Sequence, residues 1–390
     1  MKLHHACALL LSACAQRDVA PRAASVTPAP AVGPPVRALT TPDDALAREV
    51  AALRELPLRA PLRVERVDAA EFAEHARTSP AGAATRATYV AFGFVVHEAA
   101  TEPTLARAGT LGLFDFEAHT LWLRDDLGGG DRGVLVHEMV HALQAQTFGM
   151  PPTPADDDAV LAIESLYEGD ATFVRELWAA REEGQPAADR ANDAVMIVRT
   201  HTRESLASGL GIPESASRGP RFGETLSTYL DGMIFVASLW KAGGFARVDA
   251  AYARLPRSTE QILHPEKYVA DEAPIAVEAP PVPPNTTKLA EGTLGELRTR
   301  LLLARCSKTP AVGGWGWGGD RYVVAEGAGG RLALLWSTEW DSVGDAMRFE
   351  AALRRVSDRC WPSVRGRGWW IGPGVTISRA GRHVDLARGA

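Results

Sequence analysis

The stretch Val134-Leu135-Val136-His137-Glu138-Met139-Val140-His141-Ala142-Leu143 decides how this chain is read. Two histidines stand four positions apart, a glutamate follows the first, and apolar residues flank the group. On a helix, residues four apart share a face, so both imidazoles can reach one metal ion. Glu138 then sits beside the first ligand. Helical His-Glu-x-x-His segments bind zinc by this spacing. Zinc lowers the pKa of a bound water towards about 7, and a neighbouring carboxylate can take its proton as it attacks a carbonyl carbon. Met139 and Val140 are uncharged and neither is proline, so the helix can be buried in the apolar shell such a site needs. Two histidines placed on a helix for packing alone are the competing reading, and the apolar surroundings weigh against it. The expected ligands are His137 and His141, the expected cofactor is one zinc ion, and Glu138 is the expected base.

A zinc enzyme needs a third protein ligand and an open fourth position. Downstream, on a helix expected from about residue 158 to 183, lies Glu164-Ser165-Leu166-Tyr167-Glu168-Gly169-Asp170-Ala171-Thr172. Glu164 and Glu168 are one turn apart on one face, and spacing alone does not choose between them. The helix motif followed by Glu-Gly-x-Ala resembles the gluzincin metallopeptidases, the group of thermolysin-like enzymes and aminopeptidase N. That resemblance selects Glu168 as the third ligand and implies hydrolysis of peptide bonds in a peptide or protein substrate. Tyr229-Leu230-Asp231-Gly232 resembles the Tyr-x-x-Gly segment of aminopeptidase N-type enzymes, which implies that Tyr229 stabilises the oxyanion. The strand expected at 118–124 sits where this group keeps an edge strand for an extended substrate.

The chain also departs from that pattern. His141 and Glu168 are 27 positions apart, longer than in those relatives, and the proline-rich residues 151–158 are the expected insertion. Thr172 stands where thermolysin-like enzymes carry an aspartate four residues after the third ligand. The group that orients His137 is therefore open, with Asp170 and Glu164 as the candidate supporting carboxylates. No Gly-x-Met-Glu-Asn segment is present, so exopeptidase activity has no support. Two rival readings stand: an envelope-anchored scaffold that binds zinc without turnover, and a non-peptide amide hydrolase using the same zinc.

The amino terminus bears on location. Apolar residues 6–11 lead into Leu11-Ser12-Ala13-Cys14, which resembles a bacterial lipobox. The expectation is a signal over 1–13, lipid on Cys14, and a Pro/Ala-rich tether over 14–42. An ordinary signal cut near Ala13 or Ala15 is the alternative. The lipid would place the chain at the cell envelope, on an outer membrane or periplasmic face. Export favours oxidised thiols, so Cys306 and Cys360 are a candidate disulfide, with two separate buried thiols as the alternative.

Over 390 residues, 46% hydrophobic and 23% charged residues suit a sizeable core, and the net charge of −6 is spread without a basic run. Nucleic acid is thereby excluded as a partner. Pro280, Pro281, Pro283 and Pro284 mark a boundary. The expected class is α+β: a mainly helical gluzincin-like peptidase unit over 43–280 and a smaller α+β unit over 286–390. Residues 258–268 read as a surface loop ordered by Pro265, and the glycine-rich 313–322 as a turn whose two indoles close the smaller core.

Overall fold

The structure is a computed structural model that describes residues 42–76, 82–94, 111–126, 132–190, 220–304, 314–361, 364–365, 369–372 and 374–389, with 192 and 196. Cys14 and Cys306 lie outside these residues, and so does most of 190–209, which the sequence pattern predicts as helical.

The first unit begins with α1 (Pro42–Arg54), β1 (Arg63–Val67), α2 (Ala69–His75) and α3 (Ala83–Ala91). It continues with β2 (Gly112–Asp115), β3 (Thr120–Arg124), α4 (Arg132–Phe148) and α5 (Asp157–Glu182). Helix α4 carries the His-Glu-x-x-His segment and is buried continuously from Gly133 to Gln144, with polar His137, Glu138, His141 and Gln144 included. Helix α5 starts on Asp156, whose side chain accepts from the N–H groups of Asp158 and Ala159, with Asp157 and Asp158 in the first turn. Next comes α6 (Pro220–Ala253): the sequence pattern predicts a helix over about 222–242 ended by Gly243-Gly244, and the backbone does leave the helical region at those two glycines but returns to it and continues to Ala253. Leu46 and Val50 of α1, Leu121 of β3, Val136 of α4, Leu166 of α5 and Phe235 of α6 share one core.

The strand order β1-β3-β2 corrects one expectation. Strand β3 is central, parallel to β1 and antiparallel to β2, so it is no edge. Among the described residues, the edge beside the histidine helix is β2. A Cβ at Gly112 would meet Val134 at 2.6 Å, so only glycine lets β2 lie this close to α4.

Two more glycines set the approach of α5 and α6. A Cβ on Gly169 would stand 2.2 Å from the carbonyl carbon of Gly232, and one on Gly232 would stand 2.1 Å from the Ser165 oxygen. The helices therefore touch backbone to backbone there, which draws Glu168 and Tyr229 together. Gly169→Ala is expected to lower unfolding stability by about 3 kcal/mol, the upper range for overpacking, although alanine is the better helix former. Denaturant unfolding reads this, and an unchanged midpoint would mean that the crossing is looser than described.

After α6 come α7 (Thr259–Leu263) and α8 (Pro265–Val269). Residues 258–261, read from sequence as a surface loop, are almost wholly buried. Asp158 is the reason: its carboxylate accepts from Thr259 N (2.9 Å) and Thr259 Oγ1 (2.6 Å), which seals α7 against the start of α5.

The second unit comprises β4 (Thr287–Gly292), α9 (Gly295–Ala304), β5 (Trp317–Gly327), β6 (Arg331–Trp340) and α10 (Val343–Cys360). The short strands β7 (Val364–Arg365) and β8 (Trp370–Ile371) precede β9 (Val375–Ala380) and β10 (His383–Arg388). The sheet order is β4-β5-β6-β10-β9, with β8 beside β6. Buried Asp320 accepts from the N–H groups of Leu294 and Gly295 and from the indoles of Trp317 and Trp336. Trp317 thus closes the core as expected, whereas Trp315 is 53% exposed. Ala87, Val90 and Phe92, which precede the proline boundary in sequence, join this second core through α3 and the residue after it. The chain is a mixed α and β protein with a separate C-terminal sheet. Among the described residues, no helix is long and apolar enough to cross a membrane.

Candidate metal centre

Helix α4 presents His137 and His141 one turn apart, and α5 presents Glu168 opposite them. All three are buried. The Nε2 atoms of the histidines lie 3.1 Å apart; Glu168 Oε2 lies 3.1 Å from His137 Nε2 and 3.4 Å from His141 Nε2. A tetrahedral zinc with bonds near 2.05 Å needs donors about 3.3 Å apart. The three separations fit that triangle. Burial holds the His137 imidazole down at about 4, so at neutral pH it is uncharged, as a ligand must be. Burial opposes ionisation of Glu168, but His141 and His137 outweigh it and hold the carboxyl below the usual range. Two imidazoles and one carboxylate are a donor set suited to zinc.

The surroundings orient these donors. Gln144, one turn after His141, places Oε1 2.8 Å from His141 Nδ1. Its Nε2 faces acceptors, Tyr167 O at 3.0 Å and Asp170 Oδ2 at 3.2 Å, which fixes the amide's orientation. His141 Nδ1 must then carry the proton, and its Nε2 lone pair points at Glu168 and His137. Asp170 also accepts from Tyr252 Oη (2.7 Å) and Arg54 Nε (2.8 Å). Burial keeps the Tyr252 phenol well above its ordinary pKa, so it serves as a donor. Asp170 therefore supports His141 through Gln144 and makes no described hydrogen bond to His137.

His137 is flanked instead by Tyr229, whose ring stacks on it at 5.6 Å and 24°. Tyr229 is buried. Glu138 is wholly buried, and its Oε2 accepts from Phe114 N–H at 2.8 Å. That contact ties the expected base to the edge strand β2. Glu164 lies one turn away on α5, outside the ligand triangle. His264, in the segment read above as a loop and a weaker candidate ligand by residue type, pairs with Glu296 at 3.1 Å and is not among the three clustered donors. Glu260, Glu272 and Asp341 also gather, but Lys267 Nζ already bonds them at 2.6, 2.7 and 2.7 Å.

Sequence reasoning did not single out Gln144, Tyr252, Arg54 or the Phe114 amide. Gln144 was within reach of it, since it follows His141 by three positions on the same helix face. The others arrive from distant elements and leave no local pattern.

The family described as a domain of unknown function, DUF8575, matches residues 285–390, which is the C-terminal sheet unit and not the metal centre. No curated protein and no solved structure matches the chain.

Proposed function

We propose that the chain is a zinc-dependent peptidase of gluzincin type. One observation carries the reading: three buried donors, His137, His141 and Glu168, converge at zinc-like separations beside a buried glutamate hung from an edge strand. Zinc held by these three residues supplies a Lewis acid that polarises a carbonyl and lowers the pKa of water. The remaining work belongs to the chain. Glu138 accepts the proton of the attacking water and returns it to the leaving amine, and the Phe114 N–H holds its carboxylate in one rotamer. The Tyr229 phenol, stacked on His137, donates to the developing oxyanion. The outer edge of β2 aligns an extended substrate by strand addition. The lipobox-like residues 11–14 support an envelope location through lipid on Cys14.

The test is cleavage of a diverse peptide library by the full chain with about one equivalent of zinc, as a one-ion site requires. Cleavage is expected, with loss on chelation and recovery on adding zinc back. Tight zinc binding without cleavage of any peptide would replace this reading with a zinc-holding scaffold or an amidase of another substrate class.

A further inference from the structure

Every residue of α5 from Leu161 to Trp178 is buried except Glu164. Over about five turns of helix, Glu164 is the one residue that is half-buried and not buried. It lies one turn before Glu168 on the same face, so it borders the candidate metal centre.

The charges around it are unbalanced. Glu164 is influenced by Arg298, Glu168, Glu224 and Asp157. Three donors nearby serve the neighbouring acids: Tyr89 Oη and Arg298 Nε serve Glu224 at 2.7 and 3.0 Å, and Tyr322 Oη serves Asp157 at 3.1 Å. No described residue donates a hydrogen bond to Glu164. With Glu168 assigned to the metal, three carboxylates share one guanidinium. Burial, aided by Glu168 and Glu224 and opposed by Arg298, pushes the Glu164 carboxyl up to about 8. An anionic ligand would meet repulsion there, and an apolar one would leave the carboxyl unsatisfied.

We propose that Glu164 determines specificity by receiving a cationic nitrogen of the substrate, an ammonium or guanidinium close to the scissile bond. The proposal rests on the peptidase reading above. Side chains one turn apart start about 5–6 Å from each other. A peptide carbonyl held at Glu168 and His137 can therefore bring its residue's lysine or arginine side chain, or a free amino group, to Glu164. A charge-assisted hydrogen bond to the carboxylate completes the pair.

The experiment compares the full chain with Glu164→Gln and Glu164→Asp, each with zinc, on three peptide sets. One set is N-acetylated with Lys or Arg at the varied position, one is N-acetylated with norleucine or citrulline there, and one has a free amino terminus. The parent is expected to prefer one cationic set, and which one identifies the source of the nitrogen. Glu164→Gln is expected to lower kcat/KM for that set about tenfold to hundredfold and leave the neutral set unchanged, as loss of a charged hydrogen bond implies. Glu164→Asp should retain the preference. A second measurement avoids turnover: the metal-free chain should bind N-acetyl-arginine amide or leucinamide more tightly than N-acetyl-leucine amide, and Glu164→Gln should not. Equal treatment of cationic and neutral partners by the parent, or a preference that survives in Glu164→Gln, overturns the proposal. No cleavage together with Glu164-dependent binding overturns the peptidase reading and leaves this subsite in place.

Discussion

Glu138→Gln is expected to bind zinc as tightly as the parent, to unfold at the same or higher denaturant concentration, and to hydrolyse peptides about 10²–10⁴-fold more slowly, the range for losing general acid–base catalysis. The three expectations come from separate features of one residue. Zinc affinity is preserved because the donors are His137, His141 and Glu168, and Glu138 lies outside that triangle. Stability is preserved because glutamine has the same shape, and its amide oxygen can accept from Phe114 N–H as Oε2 does now at 2.8 Å. The change also removes a carboxylate from a wholly buried position, where ionisation is costly. Activity is lost because an amide takes no proton from water near neutral pH. Initial rates on the best library peptide, with zinc content measured on the same sample, separate the effects. Full activity at full zinc occupancy would remove Glu138 from the mechanism. A fall in rate that tracks a fall in zinc would show that Glu138 shapes the site and does not act as its base.

The sequence made the local parts of this site legible. His137, Glu138 and His141 lie within one helix, where a period of 3.6 converts spacing into geometry directly. Glu168 needed the resemblance, because Glu164 satisfies the same helical rule. The structure separates them physically: Glu168 meets both imidazoles, while Glu164 is half-buried and lies outside the ligand triangle. Gly169 and Gly232 belonged to the quoted segments from the start, yet their purpose emerged only in three dimensions, where each removes a side chain from the α5–α6 contact. The strand at Thr120–Arg124 was found, but its place in the sheet was not, because strand order is a long-range property. The polar segment at 258–268 was misjudged for a related reason. Its burial depends on Asp158, a hundred residues earlier in the chain, and polar composition carries no sign of such a partner.

The second large effect concerns Asp170, which was expected beside a metal ligand and lies one residue further out. Asp170→Asn should cost about 3–5 kcal/mol of unfolding stability, the range for breaking a buried ion pair from one side. Arg54 and Asp170 are both fully shielded from solvent, and two hydrogen bonds from Arg54 Nε join them at 2.8 and 3.0 Å. Burial disfavours the Arg54 charge, and Asp170, with Tyr252 and Asp249, overcomes that penalty. Asp249 holds the other end of the guanidinium at 2.7 Å but is itself 36% exposed, so it compensates only in part. The same substitution reaches the metal centre. An asparagine amide placed towards Gln144 Nε2 would turn that glutamine, and His141 Nδ1 would lose its fixed acceptor. Zinc affinity is then expected to fall about tenfold to hundredfold, as when a group supporting a metal ligand is removed. Pairing the change with Arg54→Met separates the two consequences. The double variant removes both buried charges and should regain most of the stability, since apolar replacement of a whole buried pair is often neutral. Its zinc affinity should stay low, because Gln144 still lacks its carboxylate. Denaturant unfolding of metal-free protein and competitive zinc titration measure the two quantities independently. A loss below about 1 kcal/mol in Asp170→Asn would show that water or Asp249 already satisfies Arg54. Recovery of zinc affinity in the double variant would show that Asp170 acts on the centre through the position of α1 and not through Gln144.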